Sequence, residues 1–265
     1  MQFATWNVNS LSVRLPQVLD WLATHPVDVL VLQETKMTDD KFPAAAFLEA
    51  GYNAQWFGQK TYNGVALLSK TALPVTDVVK NIPGFTDDLA RVITATVTDE
   101  TLGEIRDIRV IGAYFPNGQE PGSEKFDYKM SWLRGLRDWL KEELATHPKL
   151  VIMGDYNITF DDLDVWDPVG LEGTIHCTEE ERYQLRALIA LGLTDSHRLF
   201  EQPAKCYSWW DYRNMAFRRN QGLRIDHILV SHALKDSVTA CVIDKLPRKN
   251  ERPSDHAPVI VTIDV

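Results

Sequence analysis

Leu150-Val151-Ile152-Met153-Gly154-Asp155-Tyr156-Asn157 is an unbroken apolar run that stops at a carboxylate and a carboxamide. A run of this kind bounded by turn residues suits a strand covered on both faces. The glycine before Asp155 lets the backbone turn there or approach a neighbouring group closely. The stretch therefore predicts a buried strand that delivers polar chemistry at its end.

Just upstream, Leu144-Ala145-Thr146-His147-Pro148 repeats letter for letter a segment near the start of the chain, Leu22-Ala23-Thr24-His25-Pro26. In both places apolar residues at helical spacing precede the proline break: Leu15, Val18, Leu19 and Leu22 in the first, Met130, Leu133, Leu136, Trp139 and Leu140 within a helix expected over 129–143 in the second. After the first break, Val27 to Leu32 reads as a second buried strand running into Gln33-Glu34-Thr35-Lys36. The shared order of helix, break, strand and acid predicts two similar halves whose strand ends meet at one site.

Other strands end the same way. Phe3 to Trp6 leads into Asn7, and Ile108 to Tyr114 stops at the turn Phe115-Pro116-Asn117-Gly118. Residues 64–69 and 92–97 read as further strands, so the sheet should include antiparallel members. Leu223 to Val230 reads as a strand with Asp226 inside it, and Asp255-His256 precedes a last strand over Val259 to Ile263. Between these lie an irregular acidic stretch, 158–180, and an aromatic and basic loop, Tyr207 to Arg213. Thr178-Glu179-Glu180-Glu181 has the form of a capping box opening a helix that continues through Leu193.

The chain has 265 residues, of which 45% are hydrophobic and 25% charged, enough for one substantial core that buries roughly 70–75% of the unfolded surface. It carries no linker rich in Pro, Gly or Ser. Three cysteines, Cys177, Cys206 and Cys241, are far apart and lack zinc or Cys-x-x-Cys spacing, which fits a reducing cytoplasm. No apolar run approaches the ~20 residues of a membrane span, and no signal-peptide pattern opens the chain. A net charge of -9 argues by itself against a nucleic-acid binder. The distribution matters more: Asp155 to Glu201 holds eleven acids against three arginines, whereas Lys205 to Arg252 holds ten Lys and Arg against five acids. That asymmetry fits a polyanion docking on the C-terminal part, and equally two differently charged solvated surfaces.

Asn7, Glu34, Tyr114, Asp155, Asn157, Asp226, Asp255 and His256 thus collect at strand ends or edges. Each alone has an ordinary reading as a turn, cap or surface-pair residue. Five polar clusters attached to buried strands are costly unless they satisfy one another or a cation. Carboxylate and carboxamide oxygens without thiolates favour Mg²⁺ or Mn²⁺ over zinc. With one histidine among them, they suit metal-assisted phosphoester hydrolysis. No Gly-x-Ser-x-Gly, P-loop or dinucleotide motif competes.

The motifs Thr5-Trp6-Asn7-Val8-Asn9, Leu32-Gln33-Glu34-Thr35-Lys36, Tyr62-Asn63-Gly64-Val65-Ala66, Tyr114-Phe115-Pro116-Asn117-Gly118, Gly154-Asp155-Tyr156-Asn157-Ile158, Gly222-Leu223-Arg224-Ile225-Asp226 and Ser254-Asp255-His256-Ala257-Pro258 run in order across the chain. Together they resemble the bacterial exonuclease III family, within the exonuclease/endonuclease/phosphatase superfamily that also holds abasic-site endonucleases. The resemblance implies a four-layer α/β sandwich: two packed mixed sheets flanked by helices, in pseudo-twofold halves, forming a single catalytic domain over 1–265. It implies Glu34 as principal Mg²⁺ ligand with Asn7 beside it and Asp255 near the metal or its waters. Asp155 would activate water or assist the leaving oxygen, Asn157 would position the scissile phosphate, and Tyr114 would contact that phosphate or the leaving group. His256 would bond a phosphate oxygen, oriented by Asp226. The general base stays open among these residues. Trp209 and Leu223 match positions lining a pocket for a sugar that lacks its base, and Arg91, Lys125 and Arg213 match phosphate contacts.

The segment from Trp166 to Thr178 departs from the family pattern. His176 within it is either an exposed loop residue or a bulky group that projects into the groove and favours free 3' ends over an uninterrupted strand. The resulting expectation is a monomeric, cytoplasmic, Mg²⁺-dependent DNA repair nuclease leaving 3'-hydroxyl ends on duplex DNA with 3' ends, nicks, gaps or abasic sites. A superfamily phosphatase acting on a phosphorylated lipid or small molecule is the alternative within enzymes, and a catalytically inactive nucleic-acid-binding module the alternative outside them.

Overall fold

Runs of β-branched and aliphatic residues build the inner strands, and a computed structural model describes them within residues 1–100 and 105–265. In the first part of the chain these are β1 (Gln2–Asn7), β2 (Val29–Gln33), β3 (Tyr52–Phe57), β4 (Val65–Lys70), β5 (Val75–Lys80) and β6 (Val92–Asp99). The second part adds β7 (Arg106–Tyr114), β8 (Leu150–Asp155), β9 (Leu193–Asp195), β10 (Asp226–Ser231), β11 (Val238–Ile243) and β12 (Val259–Ile263). They form two six-stranded sheets, ordered β11-β12-β1-β2-β4-β3 and β5-β6-β7-β8-β10-β9.

Because side chains alternate across a strand, each inner strand serves two cores. Val29 and Val31 of β2 face Val151 and Met153 of β8 between the sheets. Leu30 and Leu32 point the other way, beneath Val18, Trp21 and Leu22 of helix α1 (Leu11–Thr24) and Phe47 of α2 (Ala44–Glu49). Ile152 likewise lies beneath Met130, Leu133, Leu136 and Leu140 of α3 (Glu124–Thr146) and Leu185 of α4 (Glu179–Ile189). The layers are therefore helix, sheet, sheet, helix, as the family resemblance implied.

The repeated pentapeptide marks a repeated unit. β1 and β2 pair in parallel across α1, and β7 and β8 pair in parallel across α3. Each helix stops at its histidine: the N–H of His25 donates to the Trp21 carbonyl and that of His147 to the Glu143 carbonyl, both at 2.7 Å. The order of strands around each parallel pair also matches, with an antiparallel partner on each side, β12 and β4 in one sheet, β6 and β10 in the other.

Three element boundaries differ from the sequence reading. The strand expected from Leu223 begins only at Asp226, because the Arg224 N–H goes to the Asp164 carbonyl and the Ile225 N–H to the Ser208 hydroxyl instead of a ladder partner. Asp226 therefore opens its strand and does not interrupt it. The helix α4 ends at Ile189, and Gly192, with φ of 101°, turns the chain into β9 at Leu193. The helix α3 is longer than 129–143, since the Ser123 hydroxyl accepts the Phe126 N–H at 3.2 Å and starts it five residues earlier. Thr178 and Glu181 do form the expected capping box.

Register then collects the polar residues. Tyr114 and Asp226 both pair with Asp155 across the second sheet, one from the parallel side and one from the antiparallel side. In the first sheet Asn7 pairs with Gln33, so Glu34 follows at the same edge. Gly154 permits this row by close approach: a Cβ there would lie 1.8 Å from the Ala113 carbonyl oxygen. Among the described residues no helix is long and apolar enough to cross a membrane.

Candidate active site

At the shared end of both sheets, Asn7 lies between the two halves. Its amide nitrogen donates to Glu34 Oε1 at 2.8 Å and to Asp155 Oδ2 at 2.9 Å, which ties the two carboxylates together. Glu34 has a left-handed backbone, φ of 53°, a conformation a non-glycine residue adopts only when its surroundings hold it there. The Lys36 ammonium, 2.8 Å from Glu34 Oε2 and 2.5 Å from Asn9 Oδ1, supplies part of that hold.

Asp155 is buried, and its Oδ1 accepts the Asn157 N–H at 2.9 Å. Burial raises its pKa, nearby His256 opposes the rise, and the Asp226 charge adds to it. His256 hydrogen-bonds Asp226 through Nδ1, at 2.9 and 3.1 Å, leaving Nε2 3.7 Å from Asp155. Burial alone would lower the histidine pKa, but the carboxylates of Asp226, Asp155 and Asp255 outweigh it and raise it. Asp226 is itself oriented by the Ser208 hydroxyl at 2.7 Å. The result is a chain from Ser208 through Asp226 and His256 toward Asp155, whose carboxylates favour the protonated form of the imidazole. The Tyr114 hydroxyl is held neutral, its pKa driven well above 10 by burial and by the charges of Glu34 and Asp155.

Glu34, Asp155 and His256 each offer an atom within 4.8 Å of the others. Two carboxylates with no thiolate suit a hard divalent cation. Asp226 and Asp255 add negative charge around the set, which the two cations His256 and Lys36 do not balance. As oriented, Asn7 braces the carboxylates with its nitrogen while its oxygen accepts the Asn9 N–H at 2.9 Å. Asp255 lies just outside the group, its oxygens engaged by Trp209 Nε1 at 2.9 Å and Asn9 Nδ2 at 3.0 Å.

Two cavities flank this centre. One, of about 670 Å³, is lined by His176, Trp209, Leu223 and Arg213, with Trp166 and Leu171 from the acidic loop. The exposed reading of His176 is overturned: the residue is 8% exposed, sits at φ of 73°, and its Nδ1 lies 2.7 Å from the Asn157 carbonyl oxygen. The other cavity, of about 540 Å³, is lined by Arg91, Tyr114, Lys125 and Tyr62. Arg91 is buried over the Tyr114 and Tyr128 rings and bonds the Tyr128 hydroxyl at 3.0 Å, whereas Lys125 is exposed. Arg213 is exposed and forked onto Asp211, 2.6 Å away.

Several residues not singled out from sequence help shape the site. Asn117 lines both cavities and donates to Asn157 Oδ1 at 3.2 Å. It lies inside a quoted motif, so its carboxamide was a visible signal read only as a turn. Asn9 likewise lies inside the Thr5 to Asn9 motif, whereas Ser208, a small polar residue in a loop, carries no such signal. Acidic Asp164 is not part of the centre: with Asp195 it holds the buried Arg224, at 2.7 Å from each.

The endonuclease/exonuclease/phosphatase family model matches residues 4–256. An exodeoxyribonuclease III from Haemophilus influenzae is 35% identical over 98% of both chains. Among solved structures, a 3' phosphatase from Neisseria bound to a product DNA hairpin is 46% identical with a TM-score of 0.94, each chain covered in full. An AP endonuclease from Archaeoglobus fulgidus is 34% identical with a TM-score of 0.92, also over the whole of both chains. Sequence, sheet order and the clustered polar end agree: the chain belongs to the exonuclease III and abasic-site endonuclease group of the endonuclease/exonuclease/phosphatase family.

Proposed function

We propose that the protein is a Mg²⁺-dependent DNA repair nuclease that leaves 3'-hydroxyl ends and works by preference at free 3' ends of duplex DNA, including nicks and gaps, as exonuclease and 3'-phosphatase. The observation that carries the reading is the convergence of Asn7, Glu34, Tyr114, Asp155, Asp226 and His256 at one end of two sheets. Glu34, with Asn7 beside it and Asp255 near the metal's waters, would hold Mg²⁺, or Mn²⁺ in its place, which would supply neutralising charge for phosphate oxygens. Asp155, its proton affinity raised by burial, takes the proton of the attacking water. His256, kept protonated by Asp226, donates to a phosphate oxygen as charge develops on it. Tyr114, a neutral hydroxyl donor, stands beside the same point, and Asn157 and Asn117 orient the phosphate.

The preference for strand ends rests on His176. Its ring fills the wall of the cavity beside Trp209, with centroids 6.4 Å apart, where an uninterrupted strand would have to place its sugar. Support also comes from the 46% identical Neisseria relatives, described as a 3' phosphatase and a 3'-5' exonuclease. The free, widely spaced cysteines fit a cytoplasmic setting.

The test is His176→Gly compared with the parent on a 3'-phosphate duplex and on an internal abasic duplex, with Mg²⁺ and with EDTA. The ratio of abasic to 3'-phosphate rates should rise on the order of tenfold or more, the range that pocket shape alone commands. An unchanged ratio would sink the end preference. Parent activity that survives EDTA would sink the metal.

A further inference from the structure

Behind the His176 wall, Lys129 of α3 and Glu181 of α4 form an ion pair with no exposed side-chain surface, Nζ to Oε1 at 2.5 Å. Neither residue belongs to the catalytic cluster. An ammonium has three donors, and here all are spent. The other two go to the carbonyl oxygens of Asn117 at 3.1 Å and Asn157 at 2.8 Å. Glu181 Oε1 also accepts the His176 N–H at 3.2 Å, while Oε2 accepts from the Thr178 amide and hydroxyl.

These bonds join the loop after β7, the loop after β8 and the segment that carries His176. Both Asn157, at φ of 52°, and His176, at φ of 73°, have left-handed backbones, which need outside support. A buried ion pair is a poor way to gain stability, because well-packed apolar residues of similar volume commonly do as well or better. Apolar side chains cannot, however, bond two carbonyl groups and an amide of three separate segments. The arrangement makes sense as geometry control.

We propose that Lys129 and Glu181 are positioning residues: they set the Asn117 and Asn157 backbones and the His176 ring relative to Asp155, coupling the phosphate end of the site to the pocket that selects the strand end. The inference rests on the nuclease reading given above, in which Asn157 and His176 face the substrate.

The test replaces both charges, Lys129→Met with Glu181→Gln, so that no lone buried charge remains and an oxygen still caps α4. The kcat and KM are measured on the 3'-phosphate duplex at saturating Mg²⁺ well below the melting midpoint, together with the abasic to 3'-phosphate ratio. Tyr52→Phe, which removes a buried hydrogen bond to the Val27 carbonyl far from the site, controls for lost stability. The double variant should lose on the order of 100-fold in kcat, as expected for a displacement of about 1 Å, with KM changed less than about threefold and the ratio shifted. The control should keep the parent kcat and ratio. A folded double variant with parental kcat and ratio would reduce the pair to scaffolding. Should the double variant not fold, Lys129→Arg takes its place, because a planar fork cannot reproduce three bonds from a point ammonium. A lowered kcat at unchanged KM then supports the proposal, and parental kcat and ratio overturn it. An inactive parent chain would defeat the nuclease reading itself, whereas an active parent with an indifferent double variant defeats only the positioning role.

Discussion

The two parallel units, β1-α1-β2 and β7-α3-β8, share a pentapeptide, a helix stop and a sheet position, yet their strand ends are secured differently. In the first, Glu34 is half-buried and pairs with Lys36 two residues on. In the second, Asp155 is buried beneath residues from three other segments, and Asn157 behind it rests on the buried Lys129 and Glu181 pair. The difference sets an accessible carboxylate against a walled-off one, the contrast on which the proposed division between holding a cation and handling a proton rests. A duplicated scaffold supplies matching strand ends. The loops that follow them decide the chemistry.

That contrast is most sharply broken at the carboxylates. Asp155→Asn should lower kcat by about 10²- to 10⁴-fold with little change in the Mg²⁺ concentration giving half-maximal rate, as expected for loss of a proton acceptor. Glu34→Gln should do the reverse in emphasis, raising that Mg²⁺ concentration by about tenfold or more while saturating metal recovers much of the rate. Metal titrations of both variants on a 3'-phosphate duplex check this. If the two profiles coincide, the halves do not divide the labour.

Next in size is the burial of charge in the second half. Arg224 bonds Asp164 and Asp195 with 1% of its side chain exposed. Arg224→Met strands those carboxylates and should cost about 3–5 kcal/mol in urea unfolding. The Lys70 and Asp28 pair, on the rim of the first sheet and 38% and 24% exposed, should cost no more than about 1 kcal/mol when Lys70→Met breaks it. Equal losses would contradict the walled-off reading.

The smallest effect is on pH. His227 receives Arg224 Nη1 on Nδ1 at 3.0 Å, so its Nε2–H donates to the Ile158 carbonyl at 2.8 Å and the ring is neutral. Burial, then the Arg224 charge, lowers its pKa to about 4, and burial followed by the Lys129 charge lowers His176 to about 4 as well. The unfolded chain binds these protons near the ordinary value of 6.5, so the stabilisation is complete above pH 6.5 and is lost as pH falls toward 4. The slope is at most about 1.4 kcal/mol per pH unit for each histidine. Urea midpoints at pH 7.0 and 5.5 should therefore fall in the parent chain and fall less in His227→Asn. An equal fall in both would remove His227 from the account.

Much of this was legible in the chain itself. Apolar runs ending in acids located β2 and β8, the repeated pentapeptide identified the duplicated unit, and ordered motifs across the chain carried the family and the residues of the centre. Patterns of this kind are local, because a strand covered on both faces must be apolar throughout and a functional residue must stand where it ends. Edge strands such as β5, whose middle residues are exposed, carry no such pattern and escaped notice.

Tertiary structure alone decided the partners. No spacing places Ser208 on Asp226, Lys129 on the Asn157 carbonyl, or His176 in a cavity wall and not on the surface. These contacts join residues 18, 28 and more positions apart through loops whose amides are claimed by other loops, as at Arg224 and Ile225. Sequence by itself determined which groups reach the end of the sheets. Their protonation, their orientation and the shape of the opening follow from burial, and burial is a property of the packed molecule.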